Sequence, residues 1–139
     1  MATSYTKKSI AEAMAQKMIK RAAEEADKIG VPMCIAVCDE SAVLKAFLRM
    51  DGAALLSIEV AINKAKTAAA FSIPTGDWWG FIKDDPSLAA GVPQIEGMVI
   101  FGGGFPIKQG DQVIGAIGVS GGSVAQDSQC AEAALALLA

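Results

Sequence analysis

The chain has 139 residues, 53% of them hydrophobic and 19% charged, which fits one folded domain and excludes a disordered chain. A formal net charge of −3, with Lys and Arg scattered along the chain, argues against nucleic acid as a partner, because phosphate recognition draws on clustered basic side chains. No apolar run approaches the ~20 residues of a membrane span, and the first residues lack the apolar core of a secretory leader, so no membrane partner and a cytoplasmic location are expected.

Ser9-Ile10-Ala11-Glu12 has capping-box spacing, and Ile10, Met14, Met18, Ala22 and Ile29 then recur at helical period until Gly30 and Pro32 end the run. The apolar runs Met33–Asp39 and Val43–Met50, separated by Glu40-Ser41-Ala42, predict a β-hairpin whose first strand is central. A second helix is expected over Leu55–Phe71, with Ile58, Ile62, Ala65 and Ala69 as its apolar stripe and Pro74 just beyond. Residues 75–96 mix short helical turns with loop and carry Trp78 and Trp79; an irregular insertion of that length in a small domain is often functional. Strands are expected at Met98–Phe101, Phe105–Lys108 and Gln112–Val119, interrupted by Gly102-Gly103-Gly104. A final helix opens at a second capping box, Ser123–Gln126. The order α-β-β-α-loop-β-β(β)-α describes a single α/β (α+β) domain over residues 1–139, with an antiparallel sheet covered by helices.

The chain contains no histidine, which excludes His-based zinc sites, Ser-His-Asp triads and histidine ligation of haem; no metal site is expected. Cys34 and Cys38 sit on one strand, about 13 Å apart at the extended rise, and cannot bridge each other.

Arg49 and Asp51 leave the end of the second strand on one face. Arg49 suits a carboxylate clamp, and Asp51 suits proton transfer, while an Arg-Asp ion pair or a helix cap is the plainer alternative. On the second helix, geometry favours Lys66 as the residue beside the apolar stripe. Gly102, Gly103 and Gly104 could let backbone amides approach an anion or a flat ligand, or form a bulge. Trp78 and Trp79 could stack on a planar substrate or lie between subunits. Glu96, just before the glycines, is a further candidate acid or base.

Four ordered blocks carry a family resemblance: Phe47-Leu-Arg-Met-Asp-Gly52; Asn63-Lys-Ala-Lys-Thr-Ala68 with Phe71 and Pro74-Thr75; Gly103-Gly-Phe-Pro-Ile107; and Gly115-Ala-Ile-Gly-Val-Ser-Gly-Gly122 with Gln126-Asp127. In these the chain resembles the HbpS/GlcG-like family, which includes the C-terminal domain of PduO proteins. The resemblance implies a profilin-like sandwich with a five-stranded antiparallel sheet, assembly into a homo-oligomer (dimer, tetramer or larger), and a link to haem, corrinoid or other small-molecule metabolism. It also aligns Lys64 with the family's Lys-Ala pair, making Lys64 a catalytic candidate beside Asp51 and Glu96. The chain departs from the family at Asp39-Glu40-Ser41-Ala42, where many members have a Gly-rich turn.

Two functions follow as expectations. One is a cofactor-independent enzyme acting on a small anionic organic acid in a catabolic pathway, by tautomerisation, proton transfer or hydrolytic removal of a leaving group such as a halide. Arg49, Lys66, Trp78, Trp79 and the three glycines would bind its substrate. The alternative is a haem- or corrinoid-binding carrier or sensor, with Met, Tyr, Cys or a hydroxyl left as iron ligands.

Overall fold

In the computed structural model, which describes residues 1–139, strands β1 (Cys34–Asp39), β2 (Leu44–Arg49), β3 (Gly104–Gln109) and β4 (Gln112–Ser120) pair antiparallel in the order β2-β1-β4-β3. The central strands β1 and β4 are almost wholly buried and the edges only partly, as expected for a sheet covered on both faces. The sheet therefore has four strands rather than the five implied by the resemblance. Met98–Phe101, expected as a strand, stays unpaired. Gly97, at φ 80°, turns the chain there, and the Val99 amide donates to Thr67 Oγ1 at 3.2 Å instead of to a neighbouring strand.

Helices α1 (Glu12–Ile29) and α5 (Val124–Leu135) cover one face of the sheet and α2 (Ser57–Phe71) covers the other. The alternation of the strands sorts the core accordingly. Ile35, Val37, Ile117 and Val119 point toward α1 and α5, whereas Cys34, Ala36, Cys38 and Ala116 point toward α2.

The first capping box does not form. Helix α1 starts at Glu12 after an Ala11 N-cap with no side-chain bond, because the Ile10 amide is committed to the Ile114 carbonyl of β4 at 2.9 Å and holds the chain outside the helix. The helix ends in a Schellman motif: Gly30 is left-handed, its N–H donates to Asp27 O, and Val31 N–H donates to Ala26 O. The capping box of α5 does form, with Gln126 N–H donating to Ser123 Oγ and Ser123 N–H to Gln126 Oε1.

The apolar stripe expected on α2 holds at Ala65 and Ala69 but not at its two isoleucines. The buried positions are Ser57, Ala61, Lys64, Ala65, Thr67, Ala68 and Ala69, while Ile58 and Ile62 are only half-buried. Close approach outweighs side-chain size here: Gly118 of β4 lies so near the helix that a Cβ on it would collide with the Ala61 carbonyl. Only alanine-sized residues fit at such a distance.

The Gly-poor β1–β2 turn is held by Asp39, whose Oδ1 accepts from Ser41 N–H at 2.8 Å and Val43 N–H at 3.1 Å, while Ala42 takes φ 63°. The insertion after α2 carries two short helices, α3 (Trp78–Ile82) and α4 (Pro86–Gly91), and is anchored by Thr75, whose Oγ1 accepts from Gly104 N–H at 3.0 Å. No helix is long and apolar enough to cross a membrane.

Candidate functional site

The residues singled out from the sequence fall into three places. The first lies between α2 and the sheet. Lys64 has no exposed surface, and its Nζ donates to Asp127 Oδ2 at 2.8 Å and to Val119 O at 2.9 Å, with the Phe101 ring centroid 5.2 Å away. Burial pushes the Lys64 ammonium below the usual lysine range, against the opposing pull of Asp127. Asp127 is itself buried at the start of α5, and its Oδ1 accepts from Gly122 N–H at 2.9 Å. In the sequence Asp127 stands only within a motif; the signal that marks it is a carboxylate in the first turn of a capped helix, close to Gly121 and Gly122.

The glycine run belongs to this same place. A Cβ on Gly103 would lie 2.6 Å from Lys64 Nζ, one on Gly104 would lie 2.6 Å from the Lys64 carbonyl, and one on Gly102 would lie 2.7 Å from Val124 Cγ1. All three glycines are buried, and the space in front of them is filled by α2 and α5. They let the chain pass close to the Lys64–Asp127 pair.

The second place is a cleft of about 470 Å3 on the outer side of α2, closed by residues 95–98. Lys66 and Glu96 both line it, together with Asn63, Thr67, Phe71 and Met98. Thr67 fixes the cleft wall by donating from Oγ1 to Gly97 O at 3.3 Å while accepting from Val99 N–H. Thr67, present in the sequence only within a motif, becomes visible as a wall residue through this contact. Trp78 stands edge-on to Phe71 at 4.7 Å between ring centroids, and its buried Nε1 has no hydrogen-bond partner. Trp79 is 53% exposed and lines no cleft.

The third place is a cleft of about 570 Å3 between α1 and the end of β2, lined by Asp51 and by the chain at Arg49, whose side chain, opposite Cys34 in the register, leaves on the α2 face. They form neither an ion pair nor a side-chain hydrogen bond, and the N-cap of α2 is Leu56 rather than Asp51. Lys64 is thus separated from Lys66, and both from Arg49, so the catalytic and binding candidates do not gather at one centre. The thiols of Cys34, Cys38 and Cys130 are free and buried. Desolvation raises all three, Cys38 and Cys130 to about 11.

Residues 10–136 match the model of the family described as "Haem degrading protein HbpS-like". The chain is 37% identical over 128 residues to an uncharacterised 15.0 kDa protein from the dhaT-dhaS intergenic region of Citrobacter freundii, covering 91% of this chain and 90% of that one. Among solved structures it is similar to protein ORFY of Klebsiella pneumoniae, with TM-score 0.93 and 33% identity over 99% of this chain and 96% of that one. It is also similar to PduOC, solved as a complex with haem, with TM-score 0.86 and 30% identity over 92% and 94% of the two chains. With the family match and these relatives spanning nearly all of its length, the chain belongs to the HbpS-like family.

Proposed function

We propose that this chain binds a haem-type tetrapyrrole, seated in the cleft on the outer side of α2, as a carrier or sensor. One observation carries the reading: Met98, Phe71, Ile95 and Lys66 line a single space of about 470 Å3. A flat, carboxylate-bearing ring needs apolar and aromatic walls and a cation for its acid groups. Phe71 and Ile95, 49% and 54% exposed, supply the walls, and Lys66 the cation.

The cleft offers iron a soft donor in Met98 and oxygen donors in Glu96 and Thr67, the Thr67 hydroxyl being already engaged by Gly97 O and Val99 N–H. Histidine is absent, the three thiols are buried in the core with raised pKa, and Tyr5 is 83% exposed near the N-terminus. Met98 is the soft ligand available in this cleft. Bound iron would supply redox and gas-binding chemistry; the chain's own part is to hold the ring, neutralise its carboxylates through Lys66 and limit water with the Phe71–Trp78 pair.

Titration with haemin tests this reading. A shifted Soret band should saturate at one equivalent per chain, lose its thioether signature in Met98→Leu and weaken in Lys66→Met. A cobalamin titration in parallel distinguishes a corrinoid ligand. Absence of saturation, or a loss seen in Met14→Leu instead, would remove the proposed seat.

A second reading keeps catalysis. Lys66 and Glu96 line the same cleft, which favours acid–base turnover of a small organic acid held by Lys66 and Asn63. Turnover of a candidate acid that vanishes in Glu96→Gln while binding persists would establish it. Leu55, Leu56, Phe101 and Val124, between 49% and 74% exposed, form the apolar surface we assign to contact between subunits, measurable by light scattering.

A further inference from the structure

Where α2 begins, beside the end of β4, the fold leaves a hollow of about 270 Å3 that the tetrapyrrole reading does not use. Two serines line it, one from the sheet and one from the helix. Ser120 stands opposite Cys34 in the register and so leaves β4 on the α2 face, two residues beyond Gly118. Ser57 stands one turn before Ala61, on the stripe of α2 that faces the sheet. They are 7% and 6% exposed, and neither hydroxyl forms a hydrogen bond within the chain. A serine hydroxyl carries one donor and two acceptor lone pairs, and burying it without a partner is costly.

Leu56, Val60, Phe101 and Val124 also line the hollow, as does Asp127. No lysine or arginine does, and the Asp127 carboxylate is already answered by Lys64 Nζ at 2.8 Å and Gly122 N–H at 2.9 Å. An anion entering here would meet no free cation, and a cation would have to draw Asp127 away from a buried ammonium. A neutral group that both donates and accepts answers the two hydroxyls, and a short hydrocarbon body answers the apolar walls. We propose that this hollow binds a short-chain aliphatic alcohol, its hydroxyl bonded to Ser57 and Ser120 and its chain against Leu56, Val60 and Phe101. Leu56, Phe101 and Val124 belong to the surface assigned to contact between subunits, so a second copy would close over the alcohol. The site is separate from the cleft on the outer side of α2 and stands whether or not that cleft takes a tetrapyrrole.

Titration of the isotope-labelled full chain with n-pentanol, followed by amide NMR, tests the proposal. Pentanoate, pentylamine and butyl methyl ether are titrated alongside; they replace the hydroxyl by an anion, a cation and an acceptor that cannot donate. n-Pentanol should saturate with a Kd of about 10 mM or below, and the largest shifts should fall at Ser57, Ser120 and Gly121. The two charged analogues should bind about tenfold more weakly or worse, because each brings an unanswered charge into an apolar hollow. The ether should bind about threefold more weakly or worse, the loss of one neutral hydrogen bond. Ser57→Ala and Ser120→Ala should each weaken n-pentanol about threefold or more and narrow its advantage over the ether. Ser4→Ala, exposed ahead of α1, should change nothing. The proposal is overturned if n-pentanol gives no saturable shift by about 50 mM, if pentanoate or pentylamine binds as tightly, or if both serine variants bind n-pentanol unchanged. Binding confined to the dissociated chain would also overturn it, making the hollow a seat for a side chain of a second copy. Because the comparison of the four ligands uses the unmodified chain, it decides even if a variant fails to fold.

Discussion

On the face covered by α1 and α5, Ile35, Val37, Ile117 and Val119 meet Met18, Ile19 and Ala22 in a cluster of branched and long side chains. On the α2 face, the sheet offers Cys34, Ala36, Cys38, Ala116 and Gly118 to a helix of alanines, and the largest buried side chain there is a lysine. The first face is stabilised by transfer of apolar surface out of water. The second is a close-approach interface whose small residues leave room for one fully buried ion pair. Failure should therefore look different on the two faces: cavities should damage the first, and lost partners or added atoms the second.

The largest effect is expected from Asp127→Ala. It leaves the Lys64 ammonium buried with Val119 O as its one remaining hydrogen-bond partner, and removing one partner of a buried pair costs about 3–5 kcal/mol. The double variant Lys64→Met/Asp127→Leu removes both charges and should recover most of that loss, since apolar replacement of a buried pair is often neutral or better. Urea unfolding of both variants checks this. A loss below about 1 kcal/mol in Asp127→Ala would mean that water reaches the pair and that the face is less closed than its geometry.

Next comes a comparison of one added methyl with one removed. Gly118→Ala pushes a Cβ into the Ala61 carbonyl and within 2.6 Å of Ala65 N, so overpacking should cost about 1–3 kcal/mol. Ile117→Val, one position earlier and pointing to the other face, should cost about 0.5–1.5 kcal/mol through a small cavity. Equal or reversed losses in thermal melts would erase the distinction between a tight interface and a conventional core.

This distinction also explains what was legible in the sequence. The elements of the α1–α5 side could be read because large apolar residues mark period directly: Met18 and Ala22 on α1, and alternating Ile and Val on β1 and β4. The face of α2 is only partly legible because alanines fill its surface: Ile58 and Ile62 outweigh Ala61 and Ala68 in the pattern, although it is Ala61, Ala65 and Ala68 that approach the sheet. The preference of helical geometry for Lys66 over Lys64 rests on the same pattern. Once Gly118 sets the approach, Lys64 must point inward and Lys66 outward to the cleft. Asp127 and Thr67 were out of reach for another reason: each acts through a partner more than 30 residues away along the chain or through the backbone of a separate loop, and no local spacing encodes such contacts.

The smallest effect is a pH dependence, and it sharpens the account of the α2 face. Burial lowers Lys64 from its ordinary value of 10.5, with Asp127 opposing. Between that lowered value and 10.5 the unfolded chain holds a proton that the folded chain has released, so unfolding takes up a proton and the contribution of Lys64 to stability rises with pH. The thiols of Cys38 and Cys130 act the other way: raised from 9.0 to about 11, they keep protons in the folded chain that the unfolded chain loses, and stability falls as pH passes 9.0. Because both thiols are present in the unmodified chain and in Lys64→Met, subtracting the two stability profiles cancels them and leaves the lysine. The difference should rise in favour of the unmodified chain on going from neutral pH toward 10.5. A flat or falling difference would mean that Asp127 holds the ammonium better than water does, making the pair a net electrostatic attraction rather than a charge tolerated under a close-packed helix.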